Sequence, residues 1–408
     1  MTGARKIRYV RYERRSSFWR RNQLPIFFSI FLAAALLATN GLAQPAVAAP
    51  AVTPEQMAEF HRKLAEYKAA RQRFDDEAAN YWKSIGDKRR TRFAKRRNNE
   101  KIEFTDYVLT QPPVYTGPPR PVDPTAPPEV PKEPPSIPVV TDFLRHAAEQ
   151  FQFKPQKPGS EIEFKRLYAT IAAAAGLTKD QVVRIYGFEA GGNGGYDVQA
   201  GLEEIKPGAH AISTALGYNQ LLSTNSVELL AEHGDQFLAV LRRKAEGSNG
   251  PQKTALDRKI VILQRMIAFA RTVPDEWGAH DRLARTPQGL GIHALNLDID
   301  IGPLLQTQKL LNSVTFARQK FNRPLTAAEL EMMNLTGDGN GFDMVTMPDA
   351  IRDRVPTSNF FQQGGYERTP VAGKNNTVAK LLARTDAIMD GEAALQGAKD
   401  LAAAFPGN

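Results

Sequence analysis

Between Gln111 and Pro138 twelve of 28 residues are proline, and no continuous helix or central strand can pass through such a stretch. Proline lacks the amide hydrogen and its ring fixes φ, so the segment reads as polyproline II and divides the elements on either side. At about 3.1 Å per residue it would reach roughly 85 Å, which predicts a spacer. The alternative is a strap lying on a folded surface, with Tyr107, Val108, Leu109 and Tyr115 as its anchors.

At the other end of the argument lie the first residues. Arg5, Lys6, Arg8, Arg11, Arg14, Arg15, Arg20 and Arg21 precede an apolar segment from Ile26 to Leu37 and small residues ending in Ala46-Val47-Ala48. A basic start, about a dozen apolar residues and an Ala-x-Ala site predict a secretory signal peptide over residues 1–48, hence an exported, periplasmic or cell-envelope protein. Leu24 to Ala43 is about 20 residues, long enough for an uncleaved anchor, although Asn40, Gly41 and Pro45 oppose that reading. Residues 1–48 hold a net +7 of the formal +9, so the mature chain is nearly neutral and its charge gives no reason to expect nucleic acid as a partner. There is no cysteine, which excludes a disulfide scaffold, a thiolate zinc site and a thiol nucleophile.

Thr53, Pro54 and Gln56 form a capping box with proline at the first helical position. Met57, Phe60, Leu64, Tyr67, Phe74, Ala78, Tyr81 and Ile85 follow at three- and four-residue spacing. A helical arm over residues 49–104 is predicted, its stripe serving as a coiled-coil seam, a docking face for the main domain or a membrane-surface face. The linker then covers residues 105–140. Nine basic residues between Lys83 and Lys101 stand against Asp87 and Glu100. They form either a solvated helix face or an electrostatic attachment of residues 83–101 to an anionic envelope surface.

Beyond Pro138 the pattern is helical throughout, so the chain is predicted to be all-α, with one domain over residues 141–408 and a helical insertion around residues 226–320. Ile162, Phe164, Leu167, Tyr168 and Ile171 build a helix that stops at Gly176. Thr178 and Gln181 cap the next, which buries Val182, Val183, Ile185 and Tyr186 and ends at Glu189-Ala190-Gly191-Gly192. A carboxylate in the last turn faces the negative end of the helix dipole, which disfavours its ionisation by about 0.3 to 1 kcal/mol. Desolvation by Tyr186 and Phe188 acts in the same direction. A raised pKa is what a general acid needs near neutral pH.

Further on, Gly217 precedes Tyr218-Asn219-Gln220 and the pair Leu221-Leu222. Thr326 and Glu329 cap a helix carrying Leu330, Met332 and Met333 into Asn334-Leu335-Thr336-Gly337, and Tyr366 follows Gly364-Gly365. In this order the motifs resemble the lysozyme-like superfamily, particularly bacterial lytic transglycosylases of the soluble-lytic-transglycosylase and goose-lysozyme type, over roughly residues 141 to 408. The resemblance implies a lysozyme-like helical domain acting on peptidoglycan glycan strands. It implies cleavage of the bond between N-acetylmuramic acid and N-acetylglucosamine to give 1,6-anhydromuropeptides, with Glu189 as the single catalytic acid and base. It also implies substrate-binding roles for Gly217, Tyr218, Asn219, Gln220, Asn334 and Tyr366, the last approaching the glutamate. The chain departs from the pattern at Ala190, where the family has serine, at Met333, where it has tyrosine, and in the longer interval between Glu189 and Gln220.

Glycoside cleavage commonly uses two carboxylates, but a substrate acetamido group can replace the second, so no aspartate partner is required. A lysozyme-type muramidase is the alternative, with Asp197 or Glu203 holding the water, although Asp197 reads better as a turn cap after Gly195. A non-catalytic, glycan-binding envelope scaffold is the reading from a different class. Six scattered histidines, with no His-Glu-x-x-His, give no reason to expect a zinc site, and no cofactor is implied. Asp338 to Asp343 lacks the twelfth-position glutamate of a calcium loop and reads as a glycine-rich turn. The mature N-terminus is expected near Ala49; N-terminal sequencing of protein recovered from cells checks this, and an intact Met1 on a cytoplasmic form would contradict it.

Overall fold

A computed structural model of the protein describes residues 52–127, 136–202 and 208–407; the expected signal peptide and Glu203 lie outside them. Among the described residues the chain is all-α, with isolated β-bridges in place of sheets. In chain order the helices are α1 (Pro54–Arg97), α2 (Val140–Phe151), α3 (Glu161–Ala174), α4 (Lys179–Ala190), α5 (Ser223–Glu246), α6 (Gly250–Ala270), α7 (Trp277–Ala284) and α8 (Pro287–His293). They continue with α9 (Gly302–Phe321), α10 (Ala327–Thr336), α11 (Asp338–Val345), α12 (Asp349–Arg352), α13 (Gln363–Arg368), α14 (Pro370–Lys374), α15 (Val378–Ala393) and α16 (Gln396–Ala404). Among the described residues no helix is long and apolar enough to cross a membrane.

Local chemistry sets the boundaries of the helices that matter most. Thr178 Oγ1 accepts from the Gln181 amide at 3.1 Å while Gln181 Oε1 accepts from the Thr178 amide at 3.0 Å, the reciprocal box expected at the start of α4. Thr326 and Glu329 repeat it at α10, at 3.2 and 3.1 Å. Each such cap is worth about 1 kcal/mol. Glycines with positive φ end the same helices: Gly191 after α4 at +60° and Gly337 after α10 at +80°.

Two apolar cores result. The first gathers α3, α4, α10, α11, α15 and α16 around Phe164, Tyr168, Ile185, Tyr186, Leu330 and Phe342. The second gathers α2 and α5 to α8 around Phe143, Leu230, Phe237, Leu263 and Ile292. Helix α9 runs through both, giving Leu304 and Leu305 to the second and Leu310, Val314 and Ala317 to the first. The helical segment expected as an insertion therefore builds a core of its own and draws in α2 from before it.

The arm is not a separate body, because residues 54–408 form one compact unit. At about 1.5 Å per residue α1 is about 66 Å long, and its C-terminal third docks on the first core. Ile85 and Arg92 are buried there. Arg92 Nε donates to Asp343 Oδ2 at 2.5 Å, and its other nitrogens reach the carbonyls of Asp106 and Asn359 at 3.0 and 3.2 Å. Arg96 takes the second Asp343 oxygen at 2.6 Å, Lys95 pairs with Asp106 at 2.6 Å, and Arg89 donates to the Phe361 carbonyl at 2.8 Å. Docking is thus the role of this part of the stripe, and Lys88, Arg89, Arg92, Lys95 and Arg96 of the basic run are engaged with residues beyond α1. Lys83, Arg90, Arg97 and Lys101 are exposed, the first two paired with Asp87 and the last with Glu103.

The proline-rich segment, expected foremost as a spacer, lies back along α1 over its described residues. Tyr107 is buried beside Arg92, and Val108 exchanges hydrogen bonds of 2.9 and 2.8 Å with the Asn359 side chain. Tyr115 packs edge-on against Phe74 and Tyr67, with ring centroids 5.5 and 6.3 Å away. Pro118, Pro119, Pro121 and Pro124 then line one groove with Phe60, Lys63 and Glu66. Leu109, the fourth expected anchor, points outward. The stiff polyproline backbone loses little entropy when it lies on a helix, and the spaced aromatics of α1 supply its seats. The Asp338 to Asp343 stretch is likewise helix α11 and not a turn, its Asp343 clamped by Arg92 and Arg96.

Removing one partner of a buried ion pair leaves the other uncompensated, at about 3 to 5 kcal/mol. Arg92→Met is expected to lower the stability of the whole unit by about 3 kcal/mol or more, the Arg96 contact offsetting part of the loss. Urea unfolding followed by tryptophan fluorescence measures this; a midpoint equal to the parent's would mean that the arm is not integral.

Candidate active site

Helix α4 is apolar along the face that enters the first core, and it stops within one residue of Glu189 because Gly191 adopts the left-handed conformation. Glu189 is only half-buried, so it keeps a solvent-facing side. Behind it, from the packed helix α10, comes Glu331, which is wholly buried. The two carboxyl groups act on each other electrostatically, and both Glu331 oxygens are buried without a hydrogen-bond partner among the described residues.

Burial raises the Glu189 pKa well above the ordinary carboxylate range, the charge and hydrogen bond of Glu331 raise it further, and Lys309 opposes. Two unit charges about 3 Å apart repel by about 5 kcal/mol even at an effective dielectric of about 20. That exceeds the helix-dipole effect of about 0.3 to 1 kcal/mol several-fold, so the neighbouring carboxyl and burial, more than the dipole, hold the proton. Of the two, Glu189 is the one that meets solvent.

Around this pair lies a wider acidic surface centred on Lys309 of α9, which acts electrostatically on Glu189, Glu331, Glu228 and Asp338. Glu228 belongs to α5 and the second core; burial foremost, then Glu232, push it up to about 7. Asp338, at the start of α11, is raised by burial against the opposing hydrogen bond of Ser313 at 2.6 Å. Lys309 thus acts electrostatically on carboxyl groups from helices of both cores.

The segment from Gly217 to Leu221 forms the seam between the cores. Leu216 and Leu221 exchange backbone hydrogen bonds of 3.0 Å and belong to the second core, while Tyr218 between them belongs to the first. Gly217 has a φ of +79°, and a Cβ there would lie 2.5 Å from Gln306 Nε2, so only glycine fits. Gln306 accepts from the Asn219 amide at 2.8 Å and ties the turn to α9. Tyr218, wholly buried, bonds the Glu161 carboxylate, and Asn219 donates to the Tyr168 hydroxyl at 2.8 Å. The expected glycan contacts of Tyr218 and Asn219 are therefore corrected: both side chains point into protein. Gln220, at a φ of +42°, turns its amide back onto the carbonyls of Gly217 and Val198 at 2.9 and 3.2 Å.

Of the remaining expected residues, Asn334 stands with the carboxyl pair, and its Oδ1 is buried without a partner. Tyr366 stands elsewhere. It packs on Trp82 of α1 and on Phe361, with centroids 5.7 and 6.2 Å away, in a groove of about 390 Å³ that none of the Glu189 neighbours lines. Asp197 is exposed in the turn after Gly195, as a turn cap would be. Ser226 and His293 form a hydrogen bond of 2.8 Å, but both are wholly buried and the other ring nitrogen is held by the Thr214 carbonyl at 2.8 Å, so the pair braces the seam. No group of three His, Asp or Glu among the described residues could hold a metal ion.

Glu331 is the residue that the sequence patterns left unread. The signal was there: Ala327, Ala328, Leu330, Met332 and Met333 make α10 apolar all round, and a glutamate inside such a helix must find a partner. No known protein family, curated protein or solved structure matches the chain.

Proposed function

We propose that the protein is a lytic transglycosylase with a lysozyme-like domain, cleaving the bond between N-acetylmuramic acid and N-acetylglucosamine in exported peptidoglycan strands. The observation that carries this reading is a carboxyl group, Glu189, that keeps a solvent-facing side at the end of an apolar helix and whose pKa is raised well above the ordinary carboxylate range by burial and then by the charge of Glu331. In the proposed reaction Glu189 gives that proton to the bridging oxygen as the bond breaks, and the acetamido group of the sugar stabilises the cation. The resulting carboxylate then takes the proton of the muramoyl 6-hydroxyl as that oxygen closes the 1,6-anhydro ring. Two cores meeting at the Gly217 to Leu221 seam, with Glu189 ending a helix of one of them, also support a lysozyme-like arrangement. Glu228, held near neutrality on the other core, favours a second reading in which a carboxylate activates water and the product is a reducing end.

Glu189→Gln keeps the shape but carries no transferable proton, so cleavage of purified sacculi by the full chain is expected to fall 100- to 10,000-fold, as for loss of a general acid. Mass spectrometry of the products separates anhydro ends from reducing ends. A Gln variant as active as the parent would remove Glu189 from the chemistry, and a parent that binds glycan without cutting it would leave the scaffold reading.

The same substitution has a signature in stability. A carboxyl whose pKa is raised in the folded state contributes stability that is present below its unfolded value of 4.5 and lost as pH climbs through the raised value. Each unit of elevation costs about 1.4 kcal/mol once the pH lies above it. Glu189→Gln escapes that loss, so its melting temperature relative to the parent is expected to rise between pH 4 and pH 8. Parallel melting curves for the two proteins across this range would show the Glu189 carboxyl to be unperturbed.

A further inference from the structure

The groove that holds Tyr366 has no part in the reaction proposed for Glu189. We propose that it is a second saccharide-binding site, taking a neutral, hydroxyl-rich stretch of polysaccharide such as a strand of N-acetylhexosamine units. The identity of the sugar rests on the glycan reading given above, whereas the groove itself is a property of the folded chain.

Three parts of the chain build it. Helix α1 contributes Arg71, Phe74 and Trp82, whose spacing sets them along one face over about 16 Å. The proline-rich strap supplies a second wall from Gln111 to Val114, and α13 with the segment at Asn376 supplies the third. The volume of about 390 Å³ lies within the range of small-ligand sites. The groove is complete only when the arm is docked on the body.

Its walls alternate aromatic rings with planar polar groups. Trp82 and Tyr366 meet at 5.7 Å with their planes inclined at 60°, and Tyr366 is braced from behind by Phe361 at 6.2 Å, so both amphipathic rings are held in place while half-buried. Phe74 is braced in the same way by Tyr115 at 5.5 Å, with the Arg71 guanidinium 5.0 Å above its ring. The polar groups are tied in pairs. Arg71 meets Asp75 at 2.9 Å, the Gln363 amide donates to Glu367 at 3.1 Å, and the Gln111 amide donates to the Asn376 carbonyl at 3.1 Å. Each pairing fixes an orientation and uses only part of the hydrogen-bonding capacity of the groups in it. A pyranose makes two demands on a site: a flat surface for its apolar C–H face, and donors and acceptors for the hydroxyls at its edge. Braced rings and oriented carboxamides meet both with little further ordering on binding.

Charge and space decide among ligands. One arginine stands against two carboxylates in the groove, which therefore offers an anion no attraction. Clustered aromatics also suit a polyproline peptide, but Pro112 and Pro113 of the chain itself already line the groove and take that place. A neutral sugar satisfies the rings and the carboxamides together.

The probe is the uncharged tetramer of N-acetylglucosamine, added to the full chain labelled with fluorotryptophan. Fluorine NMR reads Trp82, assigned with Trp82→Phe, against Trp277 of α7, which is not part of the groove. The Trp82 signal should move saturably. Tyr366→Ala should raise the concentration required by about tenfold or more, the cost of withdrawing an aromatic surface from a ligand. Gln363→Ala should raise it about fivefold, as for one lost hydrogen bond, and because Gln363 is exposed this variant serves even if Tyr366→Ala fails to fold. A Trp82 signal that stays in place at millimolar tetramer overturns the proposal, as does one that moves equally well in the parent and in the folded variants. A Trp82 signal that responds to a synthetic peptide of residues 111–124 and not to the tetramer overturns it in favour of a polyproline guest. The readout is local to the groove and needs no cleavage. A protein that cuts no glycan but shows the Trp82 response would therefore sink the transglycosylase reading and leave the groove standing, whereas cleavage without the response would sink the groove alone.

Discussion

Two carboxyl groups brought together in a folded core disfavour each other's ionisation, and the approach of Glu189 to Glu331 makes the packing of α4 on α10 subject to that condition. Everything around it serves to hold the two helices in register. Reciprocal caps at Thr178 and Thr326 start them, and the positive-φ glycines Gly191 and Gly337 end them, Gly191 two residues beyond Glu189. The apolar contacts of the first core supply most of the free energy, and the carboxyl pair costs some of it.

The arm belongs to the same arrangement. Asp343, the acceptor for Arg92 and Arg96, lies on α11, which is separated from α10 only by Gly337 and packs tightly upon it. The clamp that holds α1 therefore also fixes the corner from which Glu331 is presented. Buried arginine pairs bring specificity of position more than net stability, and here the position specified is that of the helix next to the carboxyl pair.

Much of this was legible in the residues, and the failures have physical causes. Helices α4 and α10 were expected with their caps and stops, and α3 with its stop at Gly176, because capping boxes and left-handed glycines are local signals. Glu189 was singled out for the same reason. Tyr218 and Asn219 were misplaced because a motif tells which segment lines a seam, while the direction of each side chain depends on positive φ values at Gly217 and Gln220 and on Gln306, 86 positions beyond Gln220. Glu331 was passed over because a glutamate two positions after a capping glutamate looks like part of a polar helix start. Its burial follows from which helices pack around α10, a tertiary fact. The strap was legible only as an alternative, since polyproline can span space or lie on a surface with the same backbone, and the aromatics at Phe60, Tyr67 and Phe74 decide between them.

The strap on α1 also gives the arm a mechanical character. From Pro54 to Glu77 no residue of the helix is buried, and the contacts that brace this stretch come from Tyr115 and the prolines. At about 1.5 Å per residue this is an overhang of about 36 Å, against an anchorage from Ala78 to Arg92 of about 22 Å. A sideways load at the Pro54 end is therefore delivered to the body as a torque with a lever ratio above one, borne by Tyr81, Ile85, Arg89 and Arg92. A single helix would bend under it, whereas a helix splinted by a polyproline strip behaves as a beam. Strain applied to this helix is passed through the Arg92–Asp343 ion pair into α11 and the α10–α11 corner.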